Sequence, residues 1–239
     1  RFNQKLAEIS NKFILKNDRQ LDKEMYSNKD DKTEPIKFIS KLPYKKITNP
    51  NHDIEIHINR LCDFITKKNL SLKKSGGKIK KKEILILNRY RRKNIKRYDS
   101  IIKKYKHNEF IDIRFTSIHS SKGTESDYVF IDDVNKRGFP SIIQDDPIIK
   151  LFLKSSDNYK FSEERRLFYV ALTRAKSKVF IFYNGSYPSE FVNEIKEDLE
   201  LNIHCKNLNC NGIMIEKKGE DFHFLGCSNY PKCEFTMPI

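Results

Sequence analysis

At 239 residues the chain suits one large domain, or one domain with a small appendage. Lys and Arg number 47 against 32 Asp and Glu, a formal net charge of +15, and the 38% hydrophobic share excludes a disordered chain. No run of about 18 apolar residues occurs, which excludes a membrane-spanning helix, and no signal-peptide pattern opens the sequence.

The excess positive charge points to a polyanionic partner, because cationic surfaces release counterions from nucleic acid. Lysine enrichment along the whole chain accounts for the same charge without one. Arg1 stands where a start methionine would, and a helix is already under way at Phe2, so the chain reads as a piece of a longer one. Four of the five cysteines lie in the last 35 residues. Clustered cysteines without a secretory signal indicate metal binding in a reducing cytoplasm.

In chain order, Phe2, Leu6, Ile9 and Phe13 mark one face of an amphipathic helix. Residues 19–34 are polar without period and read as a loop, and Ile36 to Leu42 as a short strand. Ile54, Ile58, Leu61 and Ile65 repeat the helical spacing, with Cys62 beside that face as a small buried hydrophobe. Residues 67–83, with Lys73-Lys74-Ser75-Gly76-Gly77, read as a solvated loop. Ile84–Leu87, Tyr128–Ile131 and Val179–Tyr183 are continuous apolar runs, as strands covered on both faces require. Ile111–Ile118 adds a partly alternating strand. Helices are expected at 163–174 and at 188–199, the latter with Pro188 near its first turn. Alternating strands and helices predict an α/β parallel sheet flanked by helices. Near residue 201 the composition changes to Cys, Gly and Pro, marking a boundary between domains 1–200 and 201–239.

The tail holds Cys205-x4-Cys210, sixteen residues, then Cys227-x5-Cys233. Two such pairs around a hairpin can place four thiolates on zinc, and the metal gives a tail too short for its own core a reason to fold. His204 and His223 are surplus to a four-cysteine shell. Ser117-Ile118-His119-Ser120-Ser121-Lys122-Gly123-Thr124-Glu125 follows a strand with small hydroxyls and a glycine suited to phosphate oxygens. Glu163 to Ala175 is an apolar helix with arginines at both ends. Arg165 and Arg166 are expected to pair with acids, and Arg174 closes the helix where a guanidinium can reach a phosphate. No G-x-x-x-x-G-K-[ST] occurs.

The run Phe224-Leu225-Gly226-Cys227-Ser228-Asn229-Tyr230-Pro231-Lys232-Cys233 resembles the second half of the zinc ribbon of bacterial type I topoisomerases. That family usually has C-x2-C in its first pair, where this chain has C-x4-C. The segments Ser117–Glu125 and Glu163–Lys176 resemble motifs V and VI of superfamily 1A helicases, the UvrD/Rep/PcrA group. Arg1-Phe2-Asn3, leading into Phe13-Ile14 and Lys23, looks like motif IV. Within that group the chain is most similar to the helicase IV branch, sharing the Ile84–Tyr90 segment and the Gly138-Phe139-Pro140 loop. Motif V of the family carries Thr where Ser117 stands and Leu where Thr124 stands.

This resemblance implies a RecA-like second motor domain of an ATP-dependent 3′ to 5′ DNA helicase. It implies that Arg1 and Arg174 touch the γ-phosphate of ATP, that Glu125, with Gly123 beside it, binds the ribose, and that Ser117, His119 and Ser120 face single-stranded DNA. Magnesium carboxylates and the Walker A lysine belong to a first motor domain, the expected partner along with single-stranded DNA and duplex junctions. The chain alone is then expected not to hydrolyse ATP. The alternative is a non-catalytic zinc-ribbon module that only binds single strands, with a degenerate motor remnant.

Overall fold

A computed structural model describes residues 3–17, 20, 34–41, 52–90, 95–136, 138–141, 159–219 and 222–238. Helix α1 spans Gln4–Ile14, its N-cap Asn3 accepting from the Leu6 amide at 3.2 Å. Then follow β1 (Ile36–Lys41), α2 (His52–Lys74), β2 (Lys82–Asn88), α3 (Asp99–Tyr105), β3 (Ile111–Ser117) and β4 (Ser126–Ile131). Helix α4 (Ser162–Leu172), β5 (Ala175–Asn184) and α5 (Glu190–Asp198) complete the larger unit. Strands β6 (Met214–Lys218), β7 (His223–Cys227) and β8 (Thr236–Pro238) form a separate antiparallel sheet.

The first five strands make one sheet in the order β1-β5-β4-β2-β3, every pair parallel. Side chains alternate across it, so each apolar run feeds two cores. Leu85, Leu87, Val129, Ile131, Val179 and Ile181 pack under α1, α4 and α5. Ile84, Ile86, Phe130, Phe180 and Phe182 meet α2 and α3 on the opposite face. The absence of polar alternation in the sequence therefore has a direct cause: neither face of these strands meets water.

The first core centres on Phe13, Phe139, Phe168 and Phe191, whose ring centroids lie 5.1–6.0 Å apart. Arg165 is buried against them, its guanidinium 4.5 Å from the Phe13 ring centroid. It forms a two-pronged pair with Glu194 at 2.7 and 2.8 Å and donates to the Phe13 carbonyl at 3.1 Å. Arg166 pairs with Glu163. Both arginines thus find the acidic partners expected of them. Cys62 is buried, and burial pushes its thiol up to about 12.

Two sequence expectations change and one helix is added. Residues 67–74 continue α2 instead of starting a loop, because Lys and Leu are good helix formers and Asn69 lies buried on the inner face. The helix stops where Gly76 takes φ +71°, with the Gly76 amide donating to Lys73 and the Gly77 amide to Leu72. Pro188 stands before the N-cap Ser189 of α5, one step outside the helix. Helix α3, only seven residues long, is too short to declare a period in sequence. Of the expected 19–34 loop only 20 and 34 are described; Arg1, Phe2 and Lys23 lie outside the described residues. Among the described residues no helix is long and apolar enough to cross a membrane.

Candidate functional site

The expected site residues fall into three places, two of them at opposite edges of the parallel sheet. At the amino edge, Arg174 links α4 to β5. Its Nε donates to the Val170 carbonyl at 2.9 Å, Nη1 to the Thr124 carbonyl at 3.1 Å and Nη2 to Thr173 Oγ1 at 3.2 Å. The Ser126 amide donates to the Arg174 carbonyl at 2.9 Å, so the arginine and the 123–125 turn hold one another. Burial lowers the guanidinium pKa, opposed by the nearby Glu125 carboxylate. Glu125 itself is partly exposed, 3.9 Å from Lys176. Gly123 has φ +84° and open space where a Cβ would stand, so its backbone angle demands glycine, not a close approach.

At the carboxyl edge β3 ends in Ser117. Its Oγ donates to Ser120 Oγ at 2.9 Å and accepts from the Ser120 amide at 3.2 Å, closing a short turn. His119 Nδ1 lies 3.4 Å from Nη1 of Arg89. Burial and then the Arg89 charge hold the imidazole below its ordinary value. Arg89 grips Glu164 through Nε at 3.0 Å and Nη2 at 2.6 Å, and Glu164 also accepts from the Ser141 amide at 3.0 Å. Structure thus joins Gly123, Glu125 and Arg174 in one place and Ser117, His119 and Ser120 in another. Arg1 lies outside the described residues.

Sequence reasoning missed two groupings. Arg89 and Glu164 are 75 positions apart and share no motif. Lys41, Arg97, Asp132 and Asp133 form a cluster where β1 and β4 end: Lys41 pairs with Asp132 and lies 2.8 Å from Asp133, and Arg97 lies 2.7 Å from Asp133. An Asp-Asp pair directly after an apolar strand was the available signal, since open α/β sheets place polar groups beyond their carboxyl ends.

The third place is the tail. The Sγ atoms of Cys205, Cys210, Cys227 and Cys233 all lie within 4.8 Å of one another. Tetrahedral zinc at about 2.3 Å from each thiolate requires sulfurs roughly 3.8 Å apart, and Cys205–Cys233 measures 3.7 Å. The Gly212 amide donates to Cys210 Sγ and the Asn229 amide to Cys227 Sγ, both at 3.4 Å, as metal-bound thiolates require. The Gly212 contact lowers the Cys210 thiol to about 7. A Cβ on Gly212 would come within 2.5 Å of Cys227 Sγ, so glycine lets the two knuckles close. The longer first knuckle is accommodated by Cys205 N donating to Gly212 O at 2.8 Å and Cys210 N to Asn207 O at 3.0 Å. His204 pairs in a bridge with Ile213, and His223 faces Glu216 at 3.2 Å; neither joins the cluster. The four cysteines fit zinc.

Comparison with known proteins matches residues 93–186 to the UvrD-like helicase C-terminal domain. Residues 209–239 match the topoisomerase DNA-binding C4 zinc finger, a span that begins after Cys205. DNA helicase IV of Escherichia coli K12 is 32% identical over 205 residues, covering 85% of this chain and 26% of that protein. A probable DNA helicase II homolog of Mycoplasma capricolum is 37% identical over 97 residues, covering 36% of this chain and 12% of that protein. ATP-dependent DNA helicase PcrA of Staphylococcus epidermidis is 34% identical over 97 residues, with the same coverages of 36% and 12%. The chain therefore spans about a quarter or less of these relatives. The parallel sheet and the cysteine cluster agree with these matches: residues 93–186 are similar to a UvrD-like helicase C-terminal domain and residues 209–239 to a topoisomerase-type C4 zinc ribbon.

Proposed function

We propose that residues 1–200 are the second motor domain of an ATP-dependent 3′ to 5′ DNA helicase and residues 201–239 its zinc ribbon, working in the cytoplasm on single strands and duplex junctions. A first motor domain supplies the Walker A lysine and the carboxylates that hold magnesium. Arg174, with Arg1, then faces the γ-phosphate, where a fixed guanidinium stabilises charge that builds during phosphoryl transfer. Glu125 accepts from the ribose. Ser117, His119 and Ser120 contact the strand.

The observation that carries this reading is the mutual hold between Arg174 and the Thr124 and Ser126 backbone. It ties the phosphate-facing arginine to the turn that begins, at its far end, in the Ser117–Ser120 corner. Movement of one is therefore felt by the other, which is what coupling of nucleotide to strand requires. Without a first motor domain the chain is expected to be inactive. Adding that domain is expected to restore DNA-dependent ATP hydrolysis, and Arg174→Ala to lower it by about 10³-fold or more. Steady-state ATPase assays decide the matter: normal turnover in the variant removes Arg174 from its role. Absence of any ATPase with the first domain present, while single-stranded DNA still binds, favours the binding-module alternative.

A further inference from the structure

The two helical layers that cover the parallel sheet carry different charge. On one side, among the described residues, α2 exposes Arg60, Lys67, Lys68, Lys73 and Lys74 against Asp63, and α3 exposes Lys103 and Lys104 against Asp99. On the other side α1 exposes Lys5 and Lys12 against Glu8, while α4 and α5 expose Glu163 and Glu197 and no cation. A lysine-rich composition would load both layers alike. Seven cations to two acids on one layer, and two to three on the other, make the imbalance a property of the α2 and α3 face. Lysines in a last helical turn complement the helix dipole, which accounts for Lys73, Lys74, Lys103 and Lys104. It does not account for Arg60 and Lys67 in mid-helix, nor for the exposed Lys78, Lys80 and Lys81 beyond its end.

These cations form one surface because the two helices are tied flank to flank. Ser100 Oγ donates to Glu55 at 2.6 Å, and Lys104 Nζ and the Tyr105 hydroxyl donate to Asn59 Oδ1 at 2.7 and 2.9 Å. Lys73 lies 3.2 Å from Glu109, which sets the end of α2 beside the link from α3 into β3. Strands β2 and β3 pair from their first residues, Lys82 opposite Ile111, so both links leave the helices at adjacent places on the amino edge. At 3.6 residues per turn, Arg60, Lys67 and Lys74 stand nearly in line on the outward side of α2. Phe64, 58% exposed, stands between the first two. Lys67, Lys74 and Lys78 pair with no acid among the described residues.

We propose that this face grips the phosphate backbone of duplex DNA, apart from the Ser117–Ser120 corner that meets a single strand. A duplex carries one negative charge per about 1.7 Å of its axis, so the ~21 Å from Arg60 to Lys74 passes about 12 phosphates. A single strand offers half that density along the same line. Lysine suits the task, since a compact charge on a flexible stem holds phosphate without reading bases. The corner lies at the carboxyl edge and the basic face runs to the amino edge, so unopened duplex and drawn strand are held in separate places. This inference rests on the reading that the chain binds DNA.

The test uses the full zinc-loaded chain with two fluorescein-labelled probes, a blunt duplex of about 20 base pairs and oligo(dT) of about 20 nucleotides. Changing Lys67, Lys74 and Lys78 together to Gln is expected to weaken duplex binding about 100-fold or more at low salt. The slope of log affinity against log salt is expected to fall by about 3, one for each lost phosphate contact. Retained oligo(dT) binding shows that this variant is folded. Changing Lys5, Lys12 and Lys160 to Gln removes the same net charge from the other layer and is expected to leave duplex affinity within about 3-fold. Equal weakening by the two triple variants overturns the proposal, because net charge and not this face then holds the duplex. An unmodified chain that binds oligo(dT) and ignores the duplex overturns the proposal and leaves the single-strand reading standing. Failure to bind either probe overturns that reading, and the proposal with it. Poly-glutamate that displaces the duplex at equal charge, and ceases to do so in Phe64→Ala, overturns it in favour of an acidic protein segment.

Discussion

His119 illustrates how a single neighbour sets a residue's charge state. Burial and the Arg89 guanidinium lower its pKa in the folded chain, so the imidazole is neutral at pH 7 and offers a hydrogen-bonding group, not a cation. Between that lowered value and 6.5, the unfolded chain binds a proton that the folded chain refuses. Stability must therefore fall as pH drops through this window. Melting temperatures recorded from pH 8 to pH 5 are expected to decline for the unmodified chain and to decline less for His119→Gln. Identical profiles would show that His119 does not titrate as described. Asp133 moves stability in the same direction, in a more acidic window. Burial opposes its ionisation, but Lys41 and Arg97 outweigh burial and lower the carboxyl, so its contribution is present above pH 3.8 and is lost as pH falls further. The identity of these partners was not legible in the motif itself: His119 belongs to a string of hydroxyls and glycine, while Arg89 lies 30 positions away.

Individual elements owe their stability to how they are pinned. Helix α4 inserts Phe168 between Phe13, Phe139 and Phe191, and Phe168 is fully buried. Phe168→Ala is expected to cost about 3–5 kcal/mol, read from the urea unfolding midpoint at constant m-value. Strands β1 and β4 are fastened at their ends by Lys41 against Asp132, whose side chain is 0% exposed. Lys41→Met leaves that buried carboxylate with Arg97, 3.3 Å away, as its remaining cation and is expected to cost about 1–3 kcal/mol. The paired change Lys41→Met with Asp132→Asn should recover part of this loss, and a double-mutant cycle of urea melts measures the coupling. The strands and the long helices were legible from apolar spacing because burial on a face repeats with the element's own period. The C-terminal third of α2 was not, since its lysines look like a solvated run, and only the Gly76 turn and the buried Asn69 show the helix continuing.

On the scale of the whole chain, the ribbon is the part that depends on metal. Its apolar core amounts to Met214, Leu225, Phe235 and Met237 around the four cysteines, too little to fold by burial alone. Zinc chelation is expected to unfold β6–β8 while the five-stranded sheet survives. Limited proteolysis should then cut beyond residue 201 and leave a protected fragment; protection of the tail after metal removal would contradict this account. The four cysteine ligands and the alternation of strands with helices were already present in the sequence, because metal spacing and burial period are properties of neighbouring residues. Ser117 and Glu125, eight positions apart, look like one motif, yet they stand at opposite edges of the sheet. Parallel strands β3 and β4 force the chain between them to return across the full strand length. Arg89 meets Glu164, and Ser40 meets Glu216, across 75 and 176 positions for the same reason. Spacing along a chain records one-dimensional order, and only the order in which strands are laid into the sheet determines which distant side chains share an edge.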